Sequence, residues 1–234
     1  MTSERERYRY EGTDYIDLGE AALPNYNNSI AVMVRRYARD ARDVLDFGAG
    51  TGSLTRRVQA LGLSPRCVEL DDRHRAQLQQ QGFPTVATLD AVPSESVDYI
   101  YSSNVLEHIE DDLATLVELR DRLRPGGRLL LYVPAFQSLY SSLDQMAGHF
   151  RRYDKRMLGD RLRSVGFEVD ELFYADFFGY FATRAFKRLG NSMSNANPLT
   201  YRIFDGVVFP VGCVIERLMR VPVGKNVVAV ARKR

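Results

Sequence analysis

The sequence contains little cysteine. Cys67 and Cys213 stand far apart, and neither has a C-x-x-C companion. This pattern excludes a disulfide scaffold and argues against a zinc site, so we expect a reducing compartment and no metal. Long apolar runs are also missing, since no segment offers the roughly 18 apolar residues that a membrane span requires. Residues 1–10 are charged and lack an apolar core, so no secretory signal is expected.

The sequence also lacks an excess of one charge. Its 32 basic and 30 acidic residues are interleaved and give a net charge of +2. Nothing in this pattern indicates a nucleic-acid surface. A hydrophobic content of 45% in 234 residues is typical of a soluble chain long enough to bury one full α/β core.

The run V-L-D-F-G-A-G-T-G at positions 44–52 is the most informative stretch. Two β-formers and an aspartate lead into glycines on alternate positions, and helical spacing resumes at 53–58, so we predict a strand, a tight turn and a helix start. Glycine is needed where a Cβ would prevent a turn with positive φ or the close approach of a ligand. The N-terminus of the following helix favours a ligand that carries negative charge. A dinucleotide fingerprint needs glycine at the position of Ser53, which disfavours an NAD(P)-dependent oxidoreductase. A glycine-rich turn without any ligand is the alternative.

An acidic residue closes the next predicted strand, at positions 65–70. Glu69 stands about twenty residues beyond the glycines, where a carboxylate can accept two hydrogen bonds from a ribose diol. Asp71 and Asp72 compete for this role, but we interpret them as the N-cap and first turn of a helix over 72–81.

A second motif lies at positions 96–109, where a β-rich run ends in V-L-E-H-I. The polar residues up to Asn104 come at the carboxyl end of this strand, where ligands bind in open α/β sheets. Glu107 and His108 follow, either as functional groups or as capping groups at a strand-to-helix junction.

These motifs, with L-R-P-G-G-R-L-L-L at 123–131, resemble the class I S-adenosylmethionine-dependent methyltransferases over roughly residues 40–175. The resemblance implies a doubly wound α/β fold, with a seven-stranded sheet in the order 3-2-1-4-5-7-6 and helical additions. It implies S-adenosylmethionine as cofactor and S-adenosylhomocysteine as product. The implied segments are an N-terminal helical cap (1–40), a cofactor-binding core (41–174), an aromatic helical insertion (175–222) and a final strand (223–234).

The resemblance also implies a set of cofactor-binding residues. By this resemblance Asp90 reaches the adenine of the cofactor, and Asn104 and Val105 line its methionine part. The alternative role of Asp90 is to cap a helix, and the alternative role of Tyr26 is to pack in the core. The full set is Tyr26, Asp46, Phe47, Gly48, Ala49, Gly50, Gly52, Glu69, Leu70, Asp90, Asn104 and Val105.

The run G-H-F-R-R-Y at 148–153 is similar to a segment that faces the transferred methyl group in a subgroup of bacterial methyltransferases. If the acceptor is a hydroxyl, a base must remove its proton, and histidine suits that role. We expect His149 to be this base, with His108 as second choice. Arg151 and Arg152, with Tyr153, would bind an acidic group on the acceptor. Alternatively, His149 caps a helix and the arginines pair with Asp154 or Asp160.

The expected function is methyl transfer to a hydroxyl on a small-molecule or lipid-linked acceptor, with an amine or a carbon as the alternative acceptor. Nucleic acid is excluded as substrate because no N-P-P-Y motif follows the fourth strand, where S-N-V-L stands at 103–106. Aromatic and basic residues crowd the insertion at 175–222, which suits a greasy substrate, a membrane surface or a dimer face. A cytoplasmic protein, peripheral at the membrane, is therefore expected, with an inactive cofactor-binding protein as the rival from another class.

Overall fold

A computed structural model describes residues 23–188 and 198–234 of the chain, without the side chain of Pro198. Residues 1–22 of the predicted N-terminal cap and residues 189–197 of the predicted insertion lie outside this part. The first helix of the described chain, α1, covers Pro24–Ala38. It precedes the first strand, as the helical spacing of Ile30, Val34 and Tyr37 predicts.

Seven strands form a single sheet in the order β3-β2-β1-β4-β5-β7-β6, which confirms the predicted fold. The first five strands run parallel, and β7 pairs antiparallel with both β5 and β6. The strands are β1 Val44–Phe47, β2 Pro65–Val68, β3 Thr85–Val86, β4 Val97–Ser103, β5 Leu123–Pro134, β6 Phe167–Ala175 and β7 Asn226–Lys233.

The remaining helices flank the sheet on both faces. They are α2 Ser53–Ala60, α3 Asp72–Gln80, α4 Asp112–Arg122, α5 Ser142–Met146, α6 Lys155–Ser164, α7 Phe177–Arg188, α8 Pro198–Ile203 and α9 Phe209–Leu218. A π-helical turn at Phe204–Val208 joins α8 to α9. The side chain of Asp71 accepts from the amides of Arg73 and His74, so its predicted role as the N-cap of α3 is confirmed.

The central strands bury both of their faces, which explains their continuous apolar sequences. Alternate side chains of β5 enter two different hydrophobic clusters: Leu129 and Leu131 pack in one, Leu130 and Tyr132 in the other. The sheet is therefore covered on both sides, and in such open α/β sheets ligands bind at the carboxyl edge of the strands.

Two strand boundaries differ from the sequence prediction. The apolar run at 129–134 predicts a strand, but β5 begins already at Leu123, because Leu123 pairs with Val97 before a bulge in the register. β7 begins at Asn226 rather than at 223, the predicted start of the final segment. The residue just before β7 forms other backbone hydrogen bonds. The amide of Lys225 donates to the carbonyl of Asp176, and the carbonyl of Lys225 accepts from the amide of Ala135.

The N-terminal helix is capped by a residue 180 positions away. The buried carboxylate of Asp205, in the π-helical turn, accepts from the amides of Asn25 and Tyr26, both at 2.9 Å. No residue at the start of α1 caps it with its own side chain. Asp205 thus joins the 175–222 insertion to the helix that covers the core.

Replacing this cap is expected to loosen α1. Asp205→Ala leaves two amides without their acceptor, which should lower the free energy of unfolding by about 1–3 kcal/mol. Urea unfolding followed by circular dichroism measures the change. Asp170→Ala, which removes only an exposed pair with Arg232, is the control and should change stability by less than about 1 kcal/mol. Equal effects of the two variants would contradict the capping role.

No helix in the described part of the chain is both long enough and apolar enough to cross a membrane.

Candidate active site

The glycine-rich loop follows β1 at the carboxyl edge of the sheet. Gly48, Gly50 and Gly52 have φ angles of 77°, 54° and 79°, which side chains rarely adopt. A Cβ on Gly48 would lie 2.4 Å from Cγ2 of Val105, whereas one on Gly50 would meet nothing within 4 Å. The loop is therefore packed against β4 on one side and open on the other, which is the shape that a ligand cradle needs.

Glu69 braces this loop from the end of β2. Its Oε2 accepts from the amide of Gly50 at 2.7 Å, and its Oε1 accepts from the amide of Asp71 at 2.9 Å. The carboxylate lies beside the open face of the loop, where sequence reasoning expects a ribose diol. Leu70 follows it with 61% of its surface exposed, an apolar face available to a planar base.

Asp46 lies beneath the loop, 2% exposed, and its Oδ2 accepts from the hydroxyl of Thr55 at 2.7 Å. It thereby ties β1 to α2. Burial raises the pKa of Asp46 to about 7. An unfolded aspartate ionises near pH 4, so between about pH 4 and pH 7 the native chain keeps a proton that the unfolded chain has lost.

The stability that Asp46 contributes should therefore fall as the pH rises through this window. Asp46→Asn is expected to remove that dependence and to raise the urea midpoint at about pH 8, while changing it little near pH 4. Urea titrations of both proteins at the two pH values measure this. A variant that is less stable than wild type at about pH 8 would show that the Thr55 bond outweighs the burial of charge.

Three other predicted cofactor residues, Phe47, Ala49 and Asp90, lie in different surroundings. Phe47 accepts from the hydroxyl of Ser102 through its carbonyl, and Ala49 packs in a small cluster with Leu78. Asp90 is exposed in a 3-10 turn, 3.9 Å from Arg122. Their contacts with the cofactor stay predictions.

A chain of polar contacts crosses the carboxyl edge between β4, β5 and β7. The hydroxyl of Tyr132 donates to that of Tyr26 at 3.1 Å, and Tyr26 donates to Oδ1 of Asn226 at 3.3 Å. The Asn226 amide in turn reaches Oδ1 of Asn104 at 3.4 Å. Asn104 adopts a φ of 54°, so it turns the chain sharply out of β4 beside Val105. Asn226 has no sequence signal, because it stands inside an apolar final strand.

A cluster of titratable groups lies just beyond β4. Glu107 is 0% exposed, and neither of its carboxylate oxygens has a hydrogen-bond partner among the described residues. Burial raises the pKa of Glu107 to about 8. The rings of His108 and His149 meet edge to face, with centroids 4.5 Å apart, and burial together with His149 lowers the pKa of His108 to about 4. Glu107 is therefore not a capping group.

Asp144 orients His149. Its Oδ1 lies 2.7 Å from Nδ1 of His149, and Arg152 donates to both of its oxygens at 2.7 and 3.1 Å. Burial alone would raise the pKa of Asp144, but the bonds from His149 and Arg152 outweigh it and hold that pKa well below its usual range. The ionised carboxylate accepts from Nδ1, which leaves Nε2 of His149 directed at Glu107, 4.0 Å from Oε1. Sequence reasoning missed Asp144, which carries no motif of its own.

The three residues after Phe150 are engaged within the protein. Arg151 pairs with Asp112 at 3.0 Å, Arg152 pairs with Asp144, and the buried hydroxyl of Tyr153 donates to Asp112 at 2.7 Å. The alternative pairing of the arginines with Asp154 or Asp160 is wrong, because Asp154 caps α6 through the amide of Met157. His149 does not cap that helix either. Substrate contact by Arg151, Arg152 and Tyr153 stays a prediction.

The comparison with known protein families agrees with this geometry. A methyltransferase domain family matches residues 15–172, which is more than half of the chain. The open glycine loop and the adjacent Glu69 carboxylate fit the S-adenosylmethionine that such domains bind.

Curated relatives match over part of their length. The chain is 30% identical to the malonyl-[acyl-carrier protein] O-methyltransferase of Hahella chejuensis over 110 residues, which cover 42% of the chain and 39% of the relative. It is 32% identical to the ubiquinone biosynthesis O-methyltransferase of Paramagnetospirillum magneticum over 92 residues, 36% of the chain and 37% of the relative. The chain thus spans about two fifths of the length of these relatives.

Solved structures share the fold. A SAM-dependent methyltransferase from Archaeoglobus fulgidus aligns with a TM-score of 0.59 at 19% identity, covering 88% of this chain and 94% of that one. The chain therefore belongs to the methyltransferase domain family.

Proposed function

We propose that this enzyme transfers a methyl group to a hydroxyl oxygen, and that His149 removes the hydroxyl proton. The observation that carries the proposal is the contact of His149 with Asp144 at the carboxyl edge of the sheet. When bound, S-adenosylmethionine supplies a methyl group on a positively charged sulfur, and an acceptor must approach it in line. A neutral amine attacks without first losing a proton, whereas a hydroxyl oxygen becomes a strong nucleophile only as its proton leaves, so an oriented base is most useful for oxygen.

The proton transfer follows from the orientation of the ring. Because Asp144 accepts from Nδ1, the other nitrogen of His149 is available as a proton acceptor. The acceptor oxygen forms a bond to the methyl carbon as the carbon–sulfur bond breaks, and the electron pair stays on sulfur. The hydroxyl proton passes to Nε2 of His149. The products are S-adenosylhomocysteine, a methyl ether and a protonated His149, which returns its proton to solvent.

The chemistry of the product tests the choice of oxygen. Purified enzyme is incubated with methyl-labelled S-adenosylmethionine and an extract, and the labelled product is analysed by mass spectrometry and mild base. We expect a methyl ether, which is stable to mild base; labelled methanol released by base would identify a methyl ester of a carboxylate, which needs no base, and would contradict the role of His149. An N-methyl product would contradict the proposal while leaving methyl transfer itself intact.

A lipid-linked acceptor is supported by an exposed apolar stripe on the 175–222 insertion. Side chains at steps of three or four residues share one face from α8 to the end of α9, and their exposed fractions run from 51% to 82%. Such a face suits the boundary between lipid headgroups and acyl chains. The members are Leu199, Ile203, Val207, Val211, Val214 and Leu218.

The charges beside this apolar stripe are basic. Among the described residues of 177–220, every exposed charged side chain is Arg or Lys, since Asp205 is buried and Glu216 accepts from the amide of Phe177. A groove on α7 is lined by Phe181, Ala185 and two arginines, 184 and 188. Basic residues beside an apolar face favour an anionic lipid surface. The proposal thus locates the enzyme in the cytoplasm, against the anionic inner face of a membrane.

Sedimentation with vesicles tests this docking. The protein should pellet with phosphatidylglycerol vesicles, less so with phosphatidylcholine, and less at high salt. The double variant Val207→Asp/Val211→Asp should weaken binding by at least about tenfold, since each buried valine contributes about 1.5 kcal/mol or more. Val32→Asp, at an exposed valine of α1, is the matched control and should bind as wild type does. Wild-type binding by the double variant would refute docking, and a dimer lost in that variant would assign the stripe to a second copy.

A further inference from the structure

Three side chains beyond β4 form a set that is suited to a metal ion. One ligand atom from each of Glu107, His108 and His149 can be chosen so that all three lie within 4.8 Å of one another. They offer one carboxylate and two imidazoles, a donor set that divalent first-row transition metals bind. Mg²⁺ prefers oxygen ligands alone and fits this set poorly.

The burial of Glu107 is an independent observation that points to a ligand. Both of its oxygens lie inside the protein without a hydrogen-bond partner among the described residues. A buried polar group left in this way costs free energy, so it is retained where it serves a partner. The carboxylate faces His149 across 4.0 Å. Two atoms that bind one tetrahedral ion through bonds of about 2.1 Å lie about 3.4 Å from each other. Oε1 of Glu107 and the ring nitrogen of His149 therefore need to move roughly 0.6 Å closer together.

The partners of both histidines match those of metal-ligating histidines. Such a residue usually donates its other ring N–H to a carboxylate or a backbone carbonyl, which fixes the ring and its tautomer. His149 meets Asp144 through Nδ1, and His108 has a hydrogen bond to the backbone of Ala147. Arg152 in turn holds Asp144 in place.

The backbone joins the two segments that carry the ligands. The amide of Phe150 donates to the carbonyl of Glu107 at 2.8 Å, and the hydroxyl of Tyr140 donates to the carbonyl of His149 at 2.6 Å. The ligands therefore come from two loops, 41 residues apart in sequence, that are already held together. A preformed arrangement of this kind lowers the cost of binding an ion.

We propose that Glu107, His108 and His149 bind a divalent transition-metal ion of the zinc or manganese type beside the methyl-transfer site. The inference deepens the proposed function and rests on it for the role of the ion. A coordinated hydroxyl loses its proton more readily than a free one, because the cation stabilises the oxyanion. Because Asp144 engages Nδ1 of His149, the remaining Nε2 is either the metal ligand or the base, but not both. In the metal-bound enzyme the coordinated hydroxyl would lose its proton to water, and the role of His149 as base applies to the metal-free enzyme.

Cobalt binding tests the site without any methyl acceptor. Untagged protein is freed of metal with a chelator and titrated with Co²⁺, whose visible absorption reports nitrogen and oxygen ligands, and Zn²⁺ binding is measured by calorimetry. We expect one ion per chain. Glu107→Gln and His149→Ala should each weaken binding by at least about tenfold, the loss that removing even a supporting residue causes. Asp144→Asn, at a positioning residue, should weaken it about 10-fold to 100-fold.

His74 supplies the matched control, because it is the third histidine of the chain and lies on α3. His74→Ala should bind Co²⁺ as wild type does. No Co²⁺ binding by the wild type, or binding of wild-type strength in both ligand variants, would overturn the inference. Circular dichroism identifies a variant that does not fold, and the remaining ligand variant then decides. A titration of S-adenosylhomocysteine in the same samples separates the outcomes: metal binding by a protein that does not bind S-adenosylhomocysteine refutes the proposed function, and binding of S-adenosylhomocysteine by a protein that binds no metal refutes the site alone.

Discussion

His149→Ala is expected to bind S-adenosylhomocysteine as tightly as wild type and to transfer methyl about 100-fold to 10,000-fold more slowly. That range is the usual contribution of a positioned acid or base. His149 lies on the loop after α5, whereas the glycine loop and Glu69 belong to β1 and β2, so cofactor affinity should not change. The loss appears in kcat, measured with labelled cofactor at saturation, because proton removal occurs in the transition state.

Two further variants test whether His149 acts as the base. His149→Asn keeps a polar group beside Asp144 and should fold normally, yet it cannot accept the proton and should be as slow as His149→Ala. His74→Ala should retain full activity. If His149→Ala kept wild-type turnover while binding S-adenosylhomocysteine, the role of His149 would be refuted. Addition of Zn²⁺ or Mn²⁺ to metal-free wild type then shows whether His149 acts alone or as a ligand.

Gly48→Ala is expected to lower the affinity for S-adenosylhomocysteine by at least about 100-fold, or roughly 3 kcal/mol. Its Cβ would overlap Val105, 2.4 Å from Cγ2, at a φ of 77°. A left-handed conformation costs about 1–2 kcal/mol and overpacking about 1–3 kcal/mol. The loop must shift to relieve both, and the shift moves the amides that face the open side. Calorimetry with S-adenosylhomocysteine measures the loss.

The overlap and the backbone strain can be separated. Gly62→Ala introduces the strain alone, since Gly62 has a φ of 86° and nothing within 4 Å of the added Cβ. It should cost about 1 kcal/mol of stability and leave cofactor affinity unchanged. Gly48→Ala/Val105→Ala removes the overlapping methyls and should recover part of the affinity. If Gly48→Ala bound as wild type does, the packed loop would not be the cofactor site.

The parts of the fold that were predicted from sequence depend on local patterns. Alternate glycines after an apolar strand require a positive-φ turn, and the observed angles at Gly48, Gly50 and Gly52 agree. Strand order followed from the resemblance to a known family, because no local pattern determines which strands pair.

The parts that were not predicted depend on contacts between distant segments. The burial of Glu107 requires the loop around Phe150, which lies 43 residues later, to fold over it. Asp205 caps a helix 180 residues earlier. Asp144 stands among polar loop residues, and only the folded chain places it against His149 and Arg152. The expectation of no metal rested on the cysteine count, which says nothing about the proposed site of histidine and glutamate.

The most direct test of the account follows the methyl group itself. Purified enzyme, methyl-labelled S-adenosylmethionine and a membrane-containing cell extract are incubated together, and the products are partitioned between organic and aqueous phases. The account predicts label in the organic phase as an O-methyl product, formed at least about 100-fold more slowly by His149→Ala. Label confined to the aqueous phase would contradict the lipid-linked acceptor, and no transferred label from an enzyme that binds S-adenosylhomocysteine would contradict methyl transfer to any acceptor in that extract.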